Sequence, residues 1–142
     1  MNLNKYKAKK TTRKVGKEIY TFDSKAEARV FDKLVLRLKA GEIEQLKVQP
    51  QFVVSNAYRI DTTKTKSGKS KVGELKYTPD FSYIKDGRKV ITEVKGYAGE
   101  TAYRIRLKLF LHCAYGVHGV HEFVEVVNGK ETRYFCDSVS MV

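Results

Sequence analysis

The chain predicts an α/β domain, a mixed sheet flanked by two helices. Three observations carry that expectation: a capped amphipathic helix near the N-terminus, a hairpin signal at Asp86-Gly87, and a second helix followed by another hairpin signal at Asn128-Gly129. Its 142 residues suffice for one domain with one core.

Residues 1–17 hold Lys5, Lys7, Lys9, Lys10, Arg13, Lys14 and Lys17 and no acid, and read as a flexible basic arm ahead of a single domain over 18–142. A short strand is expected at Glu18 to Phe22. Ser24 with Glu27 three residues on has the form of a capping box, opening a helix that runs to Ala40 and stops at Gly41. Phe31, Leu34 and Leu38 follow at helical spacing, so Glu27 lies on the buried stripe.

Ile43 to Val48 and Phe52 to Ile60 read as extended segments, and Asp61 to Lys76, lysine-rich around Ser67-Gly68, as a flexible basic loop. Tyr77 to Lys85 and Arg88 to Lys95 form strands on either side of Asp86-Gly87. A turn from Gly96 to Gly99 leads into a helix from about Glu100 to Ala114, with Tyr103, Leu107, Phe110, Leu111 and Ala114 on its apolar side. Two strands, near Glu122 to Val127 and Glu131 to Cys136, close a single mixed sheet.

Composition narrows the function. Hydrophobic residues at 42% and charged residues at 31% are those of a folded globular domain, whereas a net charge of +12 favours a polyanionic partner, because each neutralised phosphate releases a counterion. No apolar run reaches the roughly 20 residues needed to span a bilayer, and no signal-peptide core is present, so an intracellular, cytoplasmic protein is expected. Cys113 and Cys136 lack CxxC spacing and are read as reduced; with His112, His118 and His121 they supply no zinc-ligand pattern. Gly96-Tyr97-Ala98-Gly99 lacks the patterns of nucleotide-binding loops and is read as a turn.

A two-residue turn at Asp86-Gly87 pairs Lys85 with Arg88, and the register carried back sets Asp80 opposite Glu93, their Cβ atoms about 5 Å apart. Two carboxylates so placed repel unless a proton, a cation side chain or a divalent metal intervenes. Lys95 returns to the same face, and Val94 points into the core. An Asp/Glu pair beside a basic surface suits Mg²⁺, which takes one or two carboxylates plus waters and phosphate oxygens. A surface ion pair between Asp80 and Lys95 is the plainer alternative, though it leaves Glu93 unexplained amid the apolar Val90, Ile91 and Val94.

Thr78-Pro79-Asp80-Phe81, followed by Glu93-Val94-Lys95-Gly96 with twelve residues between Asp80 and Glu93, resembles the signature of the PD-(D/E)XK nuclease superfamily, the restriction-endonuclease-like fold. Ser24-Lys25-Ala26-Glu27 with Phe31 is similar to its first helix. Gln49-Pro50-Gln51-Phe52 and the helix with Tyr103, Arg104 and Lys108 resemble its small phage-encoded members. The resemblance covers about Phe22 to Ala114 and implies an αβββαβ core. It further implies a Mg²⁺-dependent DNA endonuclease, with Mn²⁺ as an alternative metal, acting on branched, replicating or recombining DNA. Asp80, Glu93, the Val94 carbonyl and Glu27 would bind the metal, and Lys95 would orient or help deprotonate water.

Glu27 is equally placed to be only the capping acid. Lys9, Lys10, Arg13 and Lys14 of the arm, Lys66, Lys69 and Lys71 of the loop, and Arg104 with Lys108 on the second helix are the candidate DNA contacts; a solvated helix face is the alternative for the last two. Cutting both strands calls for two active sites and hence a homodimer. Two further readings stay open, a non-catalytic DNA-binding module using the arm and loop, and a nuclease acting on RNA.

Overall fold

The computed structural model describes residues 10–142 as eleven strands and two α-helices. The strands are β1 (Thr11–Val15), β2 (Glu18–Phe22), β3 (Glu44–Val48), β4 (Phe52–Ser55), β5 (Tyr58–Asp61), β6 (Lys69–Val72), β7 (Leu75–Tyr77), β8 (Phe81–Lys85), β9 (Arg88–Lys95), β10 (Glu122–Val127) and β11 (Lys130–Phe135). The helices are α1 (Lys25–Lys39) and α2 (Thr101–His118). A central five-stranded sheet has the order β11-β10-β9-β8-β3 and is mixed: β10 runs parallel to β9, and the other neighbours are antiparallel. The expected α/β class with a mixed sheet and two helices is what the chain adopts.

Both hairpin turns behave as their residues require. Asp86 and Gly87 have φ of 51° and 74°, and Asn128 and Gly129 have 50° and 80°, the paired positive angles that suit the right-handed twist of the flanking strands. α1 starts where Ser24 accepts the Glu27 N–H and ends at Ala40, before Gly41 at φ 76°. α2 runs one turn beyond the expected Ala114, to a left-handed Gly119.

Two cores sandwich the sheet. On one side Ala28, Phe31, Leu34 and Val35 of α1 pack with Phe22, Phe81, Tyr83, Val90, Val94 and Val124. On the other Tyr103, Leu107, Phe110 and Ala114 of α2 pack with Phe52, Tyr77, Ile91, Val120 and Phe123. Leu38, expected on the buried stripe of α1, is exposed, because the helix outruns the sheet beneath it.

Three expectations need correction. From Thr11 the expected flexible arm is a strand: β1 pairs with β2 around Gly16, and Arg13 donates to both carboxylate oxygens of Asp32 on α1, at 2.9 and 3.1 Å. Lys5, Lys7 and Lys9 lie outside the described residues. The expected basic loop over 61–76 is partly strand, with Lys69–Val72 pairing with β5 and β7 with β4, which confines the loop proper to 62–68 and 73–74. The sheet is also not single, since three two-stranded sheets accompany the central one. Among the described residues, no helix is long and apolar enough to cross a membrane.

Candidate active site

The β8–β9 ladder runs from Lys85·Arg88 to Phe81·Thr92 and stops one pair short of Asp80·Glu93. There Asp80 leaves the ladder. Its side-chain Oδ2 accepts the Val94 N–H at 2.7 Å, and its main-chain carbonyl accepts the Gln49 N–H at 2.8 Å. Gln49 holds that position with a left-handed φ of 52°, which a non-glycine residue before proline adopts only under constraint. The expected Asp80·Glu93 pair is therefore not a rung of the ladder, and Asp80 is anchored instead on the N–H of Val94, the residue after Glu93.

Glu93 is 4% exposed, on the α2 side of β9. Its Oε2 accepts the Tyr77 hydroxyl at 2.5 Å, and its Oε1 lies 3.7 Å from Lys95 Nζ. The Lys95 ammonium also sits 4.6 Å from the centroid of the Tyr103 ring, whose hydroxyl donates to Glu125 at 2.5 Å. Val94, between the two charged residues, is buried in the α1-side core as the alternation requires.

Burial dominates the electrostatics. Desolvation and the neighbouring Glu93 carboxylate push Asp80 up to about 7, against the lowering effect of the Val94 N–H. Desolvation raises Glu93 as well, opposed by the Tyr77 hydroxyl, the Lys95 charge and a hydrogen bond with Asp80. Burial and that hydrogen bond to Glu93 hold the Tyr77 phenol far above its ordinary range.

Glu27 approaches from α1. Its main-chain N–H donates to Ser24 Oγ at 3.1 Å and its Oε1 accepts from the same hydroxyl at 3.3 Å, so the capping role is real. It is also electrostatically tied to the site: burial, then the Asp80 charge, lifts its carboxyl to about 7, and Glu27 in turn raises Glu93. Even so, among the described residues no three His, Cys, Asp or Glu side chains are arranged to hold a metal ion together. Glu27 thus serves as the capping acid and also bears electrostatically on the Asp80–Glu93 pair.

A cleft of about 300 Å³ opens onto Glu93 and Lys95, lined also by Lys76, Tyr77, Thr78, Glu100, Tyr103 and Arg106. A larger one, about 510 Å³, lies between α1 and the β9–β10 face with Lys95 at its edge, and neither Asp80 nor Glu93 lines it.

Sequence comparison places the chain among relatives. The family described as "Protein of unknown function (DUF1064)" matches residues 3–130. The chain belongs to this family. No protein of curated function matches it. A solved structure described as "Crystal structure of SSO0001" aligns with 75% of this chain at 12% identity and a TM-score of 0.34, a likeness too loose to assign a fold. The chain spans 46% of that structure's length.

Within this DUF1064 member the remaining candidate residues scatter. Arg104 and Lys108 are exposed on α2, but Arg106 is the α2 cation that lines the cleft. Lys10, Lys14, Lys66 and Lys71 are exposed; Lys69 pairs with Asp61 at 3.0 Å, and Arg13 is committed to Asp32. Lys9 is outside the described residues. The histidines stand apart: His118 Nε2 donates to the Val53 carbonyl at 3.1 Å, His121 Nδ1 accepts the Lys89 N–H at 3.0 Å, and His112 is exposed. Tyr97 is 75% exposed, folded over Gly99.

Sequence reasoning missed Tyr77, Glu125 and Arg106; it has Lys76 only in the basic loop and Tyr103 only on the apolar side of the second helix. Tyr77 is three residues before Asp80 and next to the motif. Its signal, an aromatic with a hydroxyl entering a buried acidic site, was available; the partners on α2 and β10 had none.

Proposed function

We propose that the chain is a divalent-metal-dependent DNA endonuclease of the restriction-endonuclease-like type, with Asp80, Glu93 and Lys95 at its centre. The carrying observation is a buried Glu93 with the half-buried Asp80 at its side, where a cleft opens onto Glu93 and Lys95 with Arg106 and Lys76 on its walls. An arrangement that raises both carboxyls by burial, and Asp80 further by the Glu93 charge, is costly to stability and marks functional sites.

The donor set fits Mg²⁺ or Mn²⁺. Hard carboxylate oxygens on two side chains suffice for a cation that keeps waters and takes phosphate oxygens, and the Val94 carbonyl is adjacent in sequence as a further ligand. When bound, such a cation supplies Lewis acidity to the phosphate and lowers the pKa of water. The chain's own groups do the rest. Tyr77 fixes Glu93 in orientation. Lys95, held by Glu93 and the Tyr103 face, orients the attacking water and offsets phosphate charge. Arg106 and Lys76 hold the flanking phosphates.

The direct test is incubation of the protein with linear, forked and four-way DNA and with RNA, in Mg²⁺, Mn²⁺ or EDTA. DNA cleavage in Mg²⁺ or Mn²⁺ that EDTA stops is expected. Binding without cleavage in every condition would leave a DNA-binding module instead, and cleavage of RNA alone would move the substrate.

Glu27 has its own expected result. Glu27→Gln keeps a capping side chain, so thermal stability should change by less than about 1 kcal/mol. Removing a charge coupled to Asp80 and Glu93 should shift the Mg²⁺ concentration needed for half-maximal cleavage upward by several-fold. A titration curve overlaying that of the parent protein would leave Glu27 as a cap alone.

A further inference from the structure

The β5–β6 hairpin forms a sheet of its own, joined to no strand of the central sheet. Its register pairs Tyr58 with Val72, Arg59 with Lys71, Ile60 with Ser70 and Asp61 with Lys69. Since side chains alternate along each strand, Tyr58, Ile60, Ser70 and Val72 share one face and Arg59, Asp61, Lys69 and Lys71 share the other. Tyr58 and Ile60 are 52% and 50% exposed. Residues 58–72 carry five cations, Arg59, Lys64, Lys66, Lys69 and Lys71, against the single acid Asp61.

A two-stranded ribbon is marginal in water by itself, and one that exposes a tyrosine and an isoleucine on one side and cations on the other calls for a partner with both apolar and anionic surface. A second copy of the chain is disfavoured, because the net charge of +4 on each hairpin would be opposed to itself. Duplex DNA offers what is needed: a major groove about 12 Å wide that admits a two-stranded ribbon, sugars and base edges within it, and phosphates along both rims.

We infer that the β5–β6 hairpin is a duplex-binding ribbon, in which Tyr58 and Ile60 pack against sugars and base edges in the groove while Arg59, Lys64, Lys66 and Lys71 reach the phosphates. The inference deepens the nuclease reading by making double-stranded DNA the form that is held, and it is a claim about binding alone. It converts a basic segment into a shape-selective contact, since a single strand has no groove to receive the apolar face.

The test is fluorescence anisotropy of a labelled 20-base-pair duplex and its single strand, in EDTA and at several salt concentrations. The full chain is compared with Tyr58→Ala/Ile60→Ala and with Lys66→Ala/Lys71→Ala. All four residues lie outside both cores, and thermal melting checks that the variants fold. The apolar pair should weaken duplex binding by about tenfold or more with an unchanged salt slope, as two half-exposed side chains lose their burial. The lysine pair should lower the slope of log K against log salt by about 1.8.

Both variants binding duplex like the parent would overturn the inference, as would equal losses on duplex and single strand. Loss of a dimer in the Tyr58→Ala/Ile60→Ala variant, seen by sedimentation, with DNA affinity unchanged, would assign the apolar face to a second copy. The two proposals fail separately. Absence of cleavage with hairpin-dependent binding would refute the nuclease alone, and metal-dependent cleavage with hairpin-independent binding would refute the ribbon alone.

Discussion

Asp80→Ala, Glu93→Ala and Lys95→Ala are each expected to lower DNA cleavage by at least about a thousandfold, the scale on which loss of a charge-stabilising group at a phosphoryl site is felt. Their effects on the fold should differ. Asp80→Ala relieves a carboxyl held above its ordinary range but strands the Val94 N–H that it accepts, so the two effects offset and thermal stability should change little. Glu93→Ala leaves the buried Tyr77 hydroxyl without its acceptor, at a cost of about 1 to 3 kcal/mol. Glu93→Gln retains that acceptor and is the cleaner probe of chemistry. Cleavage assays on folded variants, judged by circular dichroism, check the set. Full activity in any of them, or in EDTA, would remove the assignment.

The second large effect is on stability against pH in the absence of metal. Asp80 has a folded-state pKa of about 7 against an ordinary 3.8, so its protonated form is favoured by the fold. That contribution is present in full below about 4 and is lost as pH rises through 7. Glu27 moves in the same direction with a smaller share, because it is only half buried. Melting in EDTA should therefore show a rising midpoint as pH falls from about 8 to about 5, by an amount on the order of a few kcal/mol at most. Asp80→Asn should flatten the profile, and Mg²⁺ should do the same by neutralising the pair. A midpoint that falls over this range, or an Asp80→Asn profile that tracks the parent, would contradict the placement of the proton.

Local chemistry explains what was legible beforehand. Asp86-Gly87 and Asn128-Gly129 require positive φ, and Ser24 caps α1 with a hydroxyl, so hairpins and helix start where the residues say. Strand alternation puts Glu93 and Lys95 on one face, whereas Asp80 lies beyond the end of the ladder and is held by the Val94 and Gln49 N–H groups. The N-terminal strand was hidden because Lys10, Arg13, Lys14 and Lys17 present a uniform charge, and only the Arg13–Asp32 bond across to α1 shows that one of them is structural. A truncation at residue 17 would consequently delete β1; one at residue 9 removes Lys5, Lys7 and Lys9 alone.

The basic segment after Asp61 was misread in the same way. Gly68, at φ 75°, lets the chain turn back and pair Lys69–Val72 with Tyr58–Asp61, a non-local ladder that composition does not announce. On α2 the rotation of the helix decides which cation lines the cleft. Each residue advances about 100° around the axis, and it is Arg106, two positions from the expected Arg104 and Lys108, that meets the cleft. Tyr103 and Glu125 become partners only because α2 carries the chain back to lay β10 beside β9.

That parallel pairing of β9 and β10 across α2 bears on how the site comes into being. Glu93, Lys95, Tyr103 and Glu125 all belong to one strand–helix–strand unit of consecutive sequence, and β8 with Asp80 adjoins it through a two-residue turn. The loops that must close to assemble these groups are short, so little chain entropy separates the nascent segment from its arranged carboxylates and lysine. The β1–β2 hairpin and the β5–β6 ribbon contribute no side chain to that cluster. Opening of the β5–β6 ribbon by a local fluctuation would leave Glu93 and its neighbours in place, since the ribbon belongs to neither core, whereas β2 is tied to the α1-side core through Phe22.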